Sequence, residues 1–157
     1  MARSERVMAE LIPTLHEIAQ ICCDGEEFYR HAAERMQDSE LREAVREVGR
    51  IRGDLCRDIH AWLRGKGAES SGGTFYGSLH QLYTELRARF AKNGDHIYVA
   101  ELEEAEDRLL HSLEEAMLTV EPPEARAVLR QYMPAARAAH ERMRRLKMGL
   151  NESPVAA

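Results

Sequence analysis

The chain has 157 residues, enough for one domain with a hydrophobic core and too few for two ordinary domains. Hydrophobic residues make up 44%, charged residues 31% and aromatic residues 6%, a balance that favours a charged helical protein over a β-sandwich. The net charge of −5 argues against a nucleic-acid partner, which needs a concentrated Lys/Arg surplus. We therefore expect a single all-α domain over residues 1–157, with a core at about 13–147 and a flexible tail at 148–157.

The first half of the chain predicts two long helices. Apolar residues recur at steps of three and four from Leu15 to Met36, and Pro13 fits the first turn of this helix because its missing N–H is not needed there. Asp38 or Ser39 is suited to cap a second helix, which we expect to end in the glycine-rich segment 65–73.

The second half predicts a short helix followed by two long ones. An amphipathic stretch from Ser78 to Phe90 is interpreted as a crossover helix, and a third long helix begins near Asp95. Pro122 and Pro123 end that helix and start a fourth, which runs to about Lys147. This order predicts a ferritin-like four-helix bundle with a long helical crossover between helices two and three, which would then run parallel.

Each long helix carries one polar residue close to the centre of its apolar stripe: Glu26, Arg52, Glu106 and His140. Counted from the turn between helices one and two, the four positions lie at similar heights, so they could share one buried layer. Buried charges need partners, and a set of two acids, one cation and one histidine can supply them internally.

This layer admits two interpretations. Glu26, Glu106 and His140 could be ligands of an iron or manganese centre, or all four residues could form a buried charge network that fixes the register of the helices. No histidine has a glutamate three residues before it, although paired Glu-x-x-His motifs are typical of dinuclear sites. Because Arg52 would also repel a metal ion, the sequence favours the network or a vestigial metal site over a working one.

The other polar candidates are weaker. Cys22 and Cys23 are adjacent and Cys56 is alone, so there is no CxxC motif, and we expect reduced, buried thiols. Three polar residues of the second helix lie off its apolar stripe, and we expect them in solvent or in salt bridges: Asp54, Asp58 and His60.

No catalytic motif supports an enzymatic reaction. The sequence has no glycine-rich phosphate loop, no GxSxG elbow and no Cys–His–Asn set, so no catalytic or cofactor-binding residue is assigned. It also has no apolar run of signal-peptide or membrane-spanning length. We expect a cytoplasmic, non-catalytic protein without membrane partners that self-associates through exposed helix faces.

Several segments carry a family resemblance between about Leu15 and Leu146: CDGEEFYRHAAERM, SELREAV, GSLHQLYTEL, ELEEAEDRLLHSLEEAM and RQY with AAHERM. Together they resemble a bacterial family of ferritin-like four-helix bundles that carries a domain-of-unknown-function label.

The resemblance implies a ferritin-like fold, a cytoplasmic location and an association with stress-related ferritin relatives, many of which lack a full set of iron ligands. It also implies that Glu26 or Glu27, Glu106 and His140 occupy the polar inner positions of the family. Phe28 stands where the family usually has a glycine.

Overall fold

The chain is all-α wherever the structure, a computed structural model, describes it, at residues 2–68 and 94–152. This confirms the predicted all-α class. The helices in these ranges are α1 (Arg3–Arg35), α2 (Ser39–Gly65), α3 (Asp95–Thr119), α4 (Pro123–Arg130) and α5 (Met133–Glu152). None of them has a stretch that is long and apolar enough to cross a membrane. The predicted crossover helix at 78–90 lies outside the described residues.

Helix α1 begins ten residues earlier than Pro13, which therefore lies inside the helix and not in its first turn. Val7 and Leu11 continue the apolar stripe towards the N-terminus, and both are buried. Burial of an aliphatic side chain contributes roughly 1.5–3 kcal/mol. Two such side chains offset the cost of an interior proline, about 3 kcal/mol, so the helix continues through Pro13.

The turn between α1 and α2 is fixed by two aspartates. The side chain of Asp38 accepts hydrogen bonds from the backbone N–H groups of Glu40 and Leu41, at 2.8 and 3.0 Å, which confirms the predicted cap. Asp95, at the start of α3, accepts hydrogen bonds from the backbone N–H groups of Gln37 and Asp38, at 3.3 and 2.9 Å. Helix α3 therefore starts beside this turn.

The direction of each helix follows from contacts near its ends. The backbone N–H of Glu121, just after α3, donates to Glu10 of α1 at 3.1 Å, so these two helices are antiparallel. Because α1 and α2 are also antiparallel, α2 and α3 run in the same direction, as predicted for a crossover connection. Helix α5 returns along α3, where Lys147 pairs with Glu103 at 3.2 Å.

The predicted fourth helix is divided into α4 and α5 by a turn at residues 131–132. Pro134 explains the break, because it has no N–H to donate to the carbonyl of Arg130 and its ring crowds that carbonyl. Tyr132 instead donates its backbone N–H to Leu129 at 3.1 Å. Beyond the break, α5 continues to Glu152, five residues past the predicted end.

The buried side chains form two hydrophobic clusters. The near cluster, beside the α1–α2 turn, includes Phe28, Met36, Val45, Leu102 and Met143. The far cluster, towards the other end, includes Leu11, Leu15, Ile59, Leu113 and Leu129. Along their helices, Arg52 and Glu106 each have a residue of the near cluster about one turn to one side and a residue of the far cluster about one turn to the other. Both residues are fully buried. A polar layer therefore divides the hydrophobic core.

Candidate functional site

The polar layer is built around one carboxylate oxygen of Glu106. Arg52 Nε donates to Glu106 Oε1 at 2.8 Å, and the hydroxyl of Tyr29 donates to the same oxygen at 2.5 Å. The Arg52 guanidinium also lies over the Tyr29 ring, 6.0 Å from its centroid. Both charged side chains have 0% exposure, so the ion pair replaces the water that each charge loses on burial.

The remaining donors of Arg52 reach backbone carbonyls on two other helices. Nη1 donates to the carbonyl of Ile21 in α1 at 3.1 Å, and Nη2 donates to that of Ala105 in α3 at 3.4 Å. The guanidinium has a planar fork of donors with fixed directions. It therefore fixes the relative height of α1, α2 and α3.

Glu26 was predicted in this layer, but the structure places it at the surface of the α1–α2 pair. Its side chain is 43% exposed and lies 3.5 Å from Arg57, which is also exposed. A Cβ atom at Gly53 would lie 2.3 Å from Glu26 Oε1, so the carboxylate lies across the glycine backbone. The half-exposed carboxylate keeps part of its hydration, which avoids the desolvation of a second acid.

His140 also lies apart from the Arg52–Glu106 pair. Its side chain is 19% exposed, and Nε2 lies 3.3 Å from Oδ1 of Asp107, on the exposed side of α3. The structure therefore brings together Arg52 and Glu106 from the predicted set of four, adds Tyr29, and places Glu26 and His140 in separate ion pairs.

This arrangement does not fit a carboxylate-bridged iron or manganese centre. Such a site needs several carboxylates and histidines that converge on one point. Here a guanidinium contacts the buried carboxylate, while Glu26 and His140 pair with other residues. A cation in this position opposes a second cation, so the polar layer is suited to fixing structure.

A second cluster joins α1 and α2 on the far side of the layer. Cys23 and Cys56 form a disulfide, with Cα atoms 5.3 Å apart, so the prediction of reduced thiols is wrong for this pair. His60 Nε2 lies 3.6 Å from Cys23 Sγ. The three potential ligand atoms all lie within 4.8 Å of one another, the only such group of three found in residues 2–68 and 94–152.

The disulfide was missed because it depends on the register of two helices. Successive turns of the α1–α2 pair bring three sets of residues together: Tyr29 with Gly49, Glu26 with Gly53, and Cys23 with Cys56. Cys23 precedes Glu26 by three residues, and Cys56 follows Gly53 by three. In an antiparallel pair, a register that places Glu26 opposite Gly53 therefore also places Cys23 opposite Cys56, and this equal spacing is visible in the sequence. An apolar stripe alone does not say which residues face each other across the pair.

His60 was predicted in solvent or in a salt bridge, but it is half-buried beside Cys23. It follows Cys56 by one helical turn, and residues four apart lie on the same face of a helix. The combination of Cys56 and His60 at this spacing is the signal that could have identified the cluster.

Cys22 has a different environment from its neighbour. It is fully buried, and this desolvation is the main reason that the pKa of its thiol is raised to about 12. The charge of Arg52 lowers this pKa, and the charge of Glu106 raises it further. The thiolate is the reactive form of cysteine, so this thiol is inert near neutral pH. Thiol chemistry in the described chain is therefore restricted to Cys23 and Cys56.

Comparison with known proteins gives one finding. Residues 10–119 match a family described as a domain of unknown function, DUF2383. Searches of curated proteins and of solved structures gave no match. The matched range contains α3 and α2 in full and most of α1, and with them both the polar layer and the cysteine cluster. Because the match covers more than half of the chain, this protein belongs to the DUF2383 family, whose function is unknown.

Proposed function

We propose that this protein is a non-catalytic, redox-responsive helical protein in which Cys23 and Cys56 alternate between a disulfide and two thiols. The observation that supports this function is the disulfide across α1 and α2 with His60 beside the sulfur of Cys23. Cys23 and His60 are half-buried, so a small thiol or disulfide has access to them. A fully buried structural disulfide would lack that access.

The reaction is a thiol–disulfide exchange in two steps. Starting from the reduced protein, the Cys23 thiolate attacks one sulfur of a small disulfide, whose S–S bond breaks and releases one thiol. The Cys56 thiolate then attacks Cys23 in the mixed disulfide and expels the second thiol. Two protein thiols thus give two electrons and two protons to the small disulfide. His60 is placed to accept the proton of Cys23 in the first step.

A trapping experiment tests this order. The Cys56→Ser variant, treated with glutathione disulfide, should accumulate a mixed disulfide at Cys23, because the second thiol is missing. The Cys23→Ser variant should react more slowly at Cys56, which packs against the far cluster. Cys22→Ala is the control and should behave like the unmodified protein. Intact-mass measurement gives the yields. A disulfide that a dithiol cannot reduce while the protein stays helical would overturn the redox function.

For the polar layer we propose a structural role in place of an iron or manganese centre. The buried Arg52–Glu106 pair supports this assignment. Protein purified from cells grown with iron should contain no stoichiometric metal that depends on Glu106 or His140. A stoichiometric iron content that is lost in both Glu106→Ala and His140→Ala would establish the metal centre.

We further propose the ferritin-like four-helix arrangement for the whole domain, with a homo-oligomeric, stress-associated role in the cytoplasm. The parallel direction of α2 and α3 and the family resemblance support it. Sedimentation equilibrium tests the oligomer, and a monomer at micromolar concentration would contradict it. The net charge of −5 gives no support to a nucleic-acid partner.

A further inference from the structure

We propose that Cys23, Cys56 and His60 bind one Zn²⁺ ion when the disulfide is reduced, and that oxidation of the pair releases it. The inference rests on the reversible reduction proposed above. It assigns a metal site outside the polar layer, with ligands from α1 and α2 only.

The distance between Cys23 and His60 suits zinc, and the three potential ligand atoms lie within 4.8 Å of one another. In a tetrahedral site with Zn–S of about 2.3 Å and Zn–N of about 2.0 Å, a sulfur and a nitrogen ligand lie about 3.5 Å apart. Cys23 Sγ and His60 Nε2 already lie 3.6 Å apart. Two sulfur ligands would lie about 3.8 Å apart by the same geometry. Reduction itself separates the two sulfurs towards this distance, since they no longer share a bond.

The chemistry of the ligands also favours zinc over the metals expected for the polar layer. Thiolates select zinc or monovalent copper, whereas iron and manganese centres of helical bundles use carboxylates. Two thiolates and a neutral imidazole carry a charge of −2, which Zn²⁺ neutralises. Neutralisation lowers the cost of holding two thiolates in a half-buried site.

Three protein ligands leave one position of a tetrahedral zinc ion for water or another small ligand. Cys23 is also half-buried, so a small disulfide can reach its thiolate. The two zinc-bound thiolates lose two electrons and join in the Cys23–Cys56 disulfide. The small disulfide accepts these electrons and leaves as two thiolates. Zn²⁺ departs without change of oxidation state. Zinc and the disulfide thus exclude each other.

Zinc titration of the full chain tests the site. The protein is reduced with a phosphine under anaerobic conditions, and Zn²⁺ is titrated in competition with a chromophoric chelator. We expect one zinc per chain, and no binding above background in Cys23→Ser or Cys56→Ser. His60→Gln should weaken zinc binding by about tenfold or more, since the loss of a residue that only hydrogen-bonds to a metal ligand already lowers metal affinity by about tenfold. His111→Gln, which changes an exposed histidine of α3, and Cys22→Ala should leave binding unchanged.

Oxidation provides the second measurement. Glutathione disulfide added to the zinc-loaded protein should release one equivalent of zinc as the two thiols disappear. A reduced protein that remains helical by circular dichroism, reoxidises normally and binds no zinc would overturn the zinc site and leave the redox function intact. A disulfide that cannot be reduced in the folded protein would overturn both. Zinc binding that survives both serine substitutions would also overturn the assignment.

Discussion

At the scale of single residues, Arg52 uses its donors inside the protein, on one carboxylate and two backbone carbonyls. Removal of one member of such a pair leaves the other charge buried without its partner, which costs more than the pair contributes as a unit. The same carboxylate receives the Tyr29 hydroxyl, so a third side chain depends on the pair.

We expect Arg52→Leu to lower the free energy of unfolding by about 3–5 kcal/mol, because Glu106 keeps its buried charge without a cation. The double variant Arg52→Leu, Glu106→Leu should be more stable than either single variant. Urea denaturation followed by circular dichroism gives all three values. Additive losses in the double variant would contradict the coupling of the two residues.

Cys22 gives a prediction for high pH. Burial raises the pKa of its thiol from 9.0 to about 12, so the stabilisation by the neutral thiol is fully present below pH 9 and is lost as the pH rises towards 12. Between pH 8 and 10.5, the free energy of unfolding should fall by about 2 kcal/mol more than in Cys22→Ala. Denaturation curves of both proteins with the disulfide intact measure this difference. Parallel pH profiles would contradict it.

Angular position on a helix identified Arg52 and Glu106 from the sequence, since both lie at the centre of an apolar stripe. The same criterion selected Glu26 and His140, which the structure places in ion pairs nearer the surface. The reason is that a polar side chain whose Cα atom lies close to the centre of a stripe can still turn its polar end towards water. The position of the Cα atom therefore does not determine where the charged end lies.

At the scale of helices, two glycines of α2 face side chains of α1, and they differ in what opposes them. A Cβ atom at Gly49 would lie 3.0 Å from Cβ of Tyr29, an atom that cannot move without its helix. The three atoms nearest to a Cβ atom at Gly53 all belong to the flexible end of Glu26. The two positions therefore form a matched pair for substitution.

Gly49→Ala should destabilise the protein by about 1–3 kcal/mol, because the added methyl group moves Tyr29 away from Glu106. Gly53→Ala should change stability little or increase it by up to about 1 kcal/mol, since alanine is the better helix former and Glu26 can turn aside. Thermal denaturation ranks the two variants. Equal losses at both positions would contradict the difference in their contacts.

The disulfide provides a second prediction at this scale. Its residues are separated by 33 positions, and closing such a loop restricts the unfolded chain by about 3–4 kcal/mol in the chain-entropy model. Reduction should lower the free energy of unfolding by up to this amount. Cys22→Ala is the control that leaves the loop closed. Denaturation curves that coincide before and after complete reduction would contradict a stabilising disulfide.

At the scale of the whole molecule, the sequence predicted the all-α class, the Asp38 cap and the start of α3 at Asp95. These features depend on local signals, which a single segment carries. The N-terminal extension of α1 was readable from Val7 and Leu11, which continue its apolar stripe, but Pro13 favoured a later start. The Cys23–Cys56 pair depends on which residues of α2 lie opposite α1, and periodicity does not contain this information. Pro134 was readable as a helix breaker, but the apolar stripe on both sides of it favoured one continuous helix.

The position of the disulfide has a consequence for folding. Tyr29 and Arg52 both lie between Cys23 and Cys56 in the chain, so the oxidised protein keeps the two donors of the polar layer inside one covalent ring even when it is unfolded. Glu106 is outside the ring and joins the polar layer only when α3 packs against the other helices. In the oxidised chain, the α1–α2 hairpin can assemble as an independent half, and the arrival of one carboxylate then completes the core.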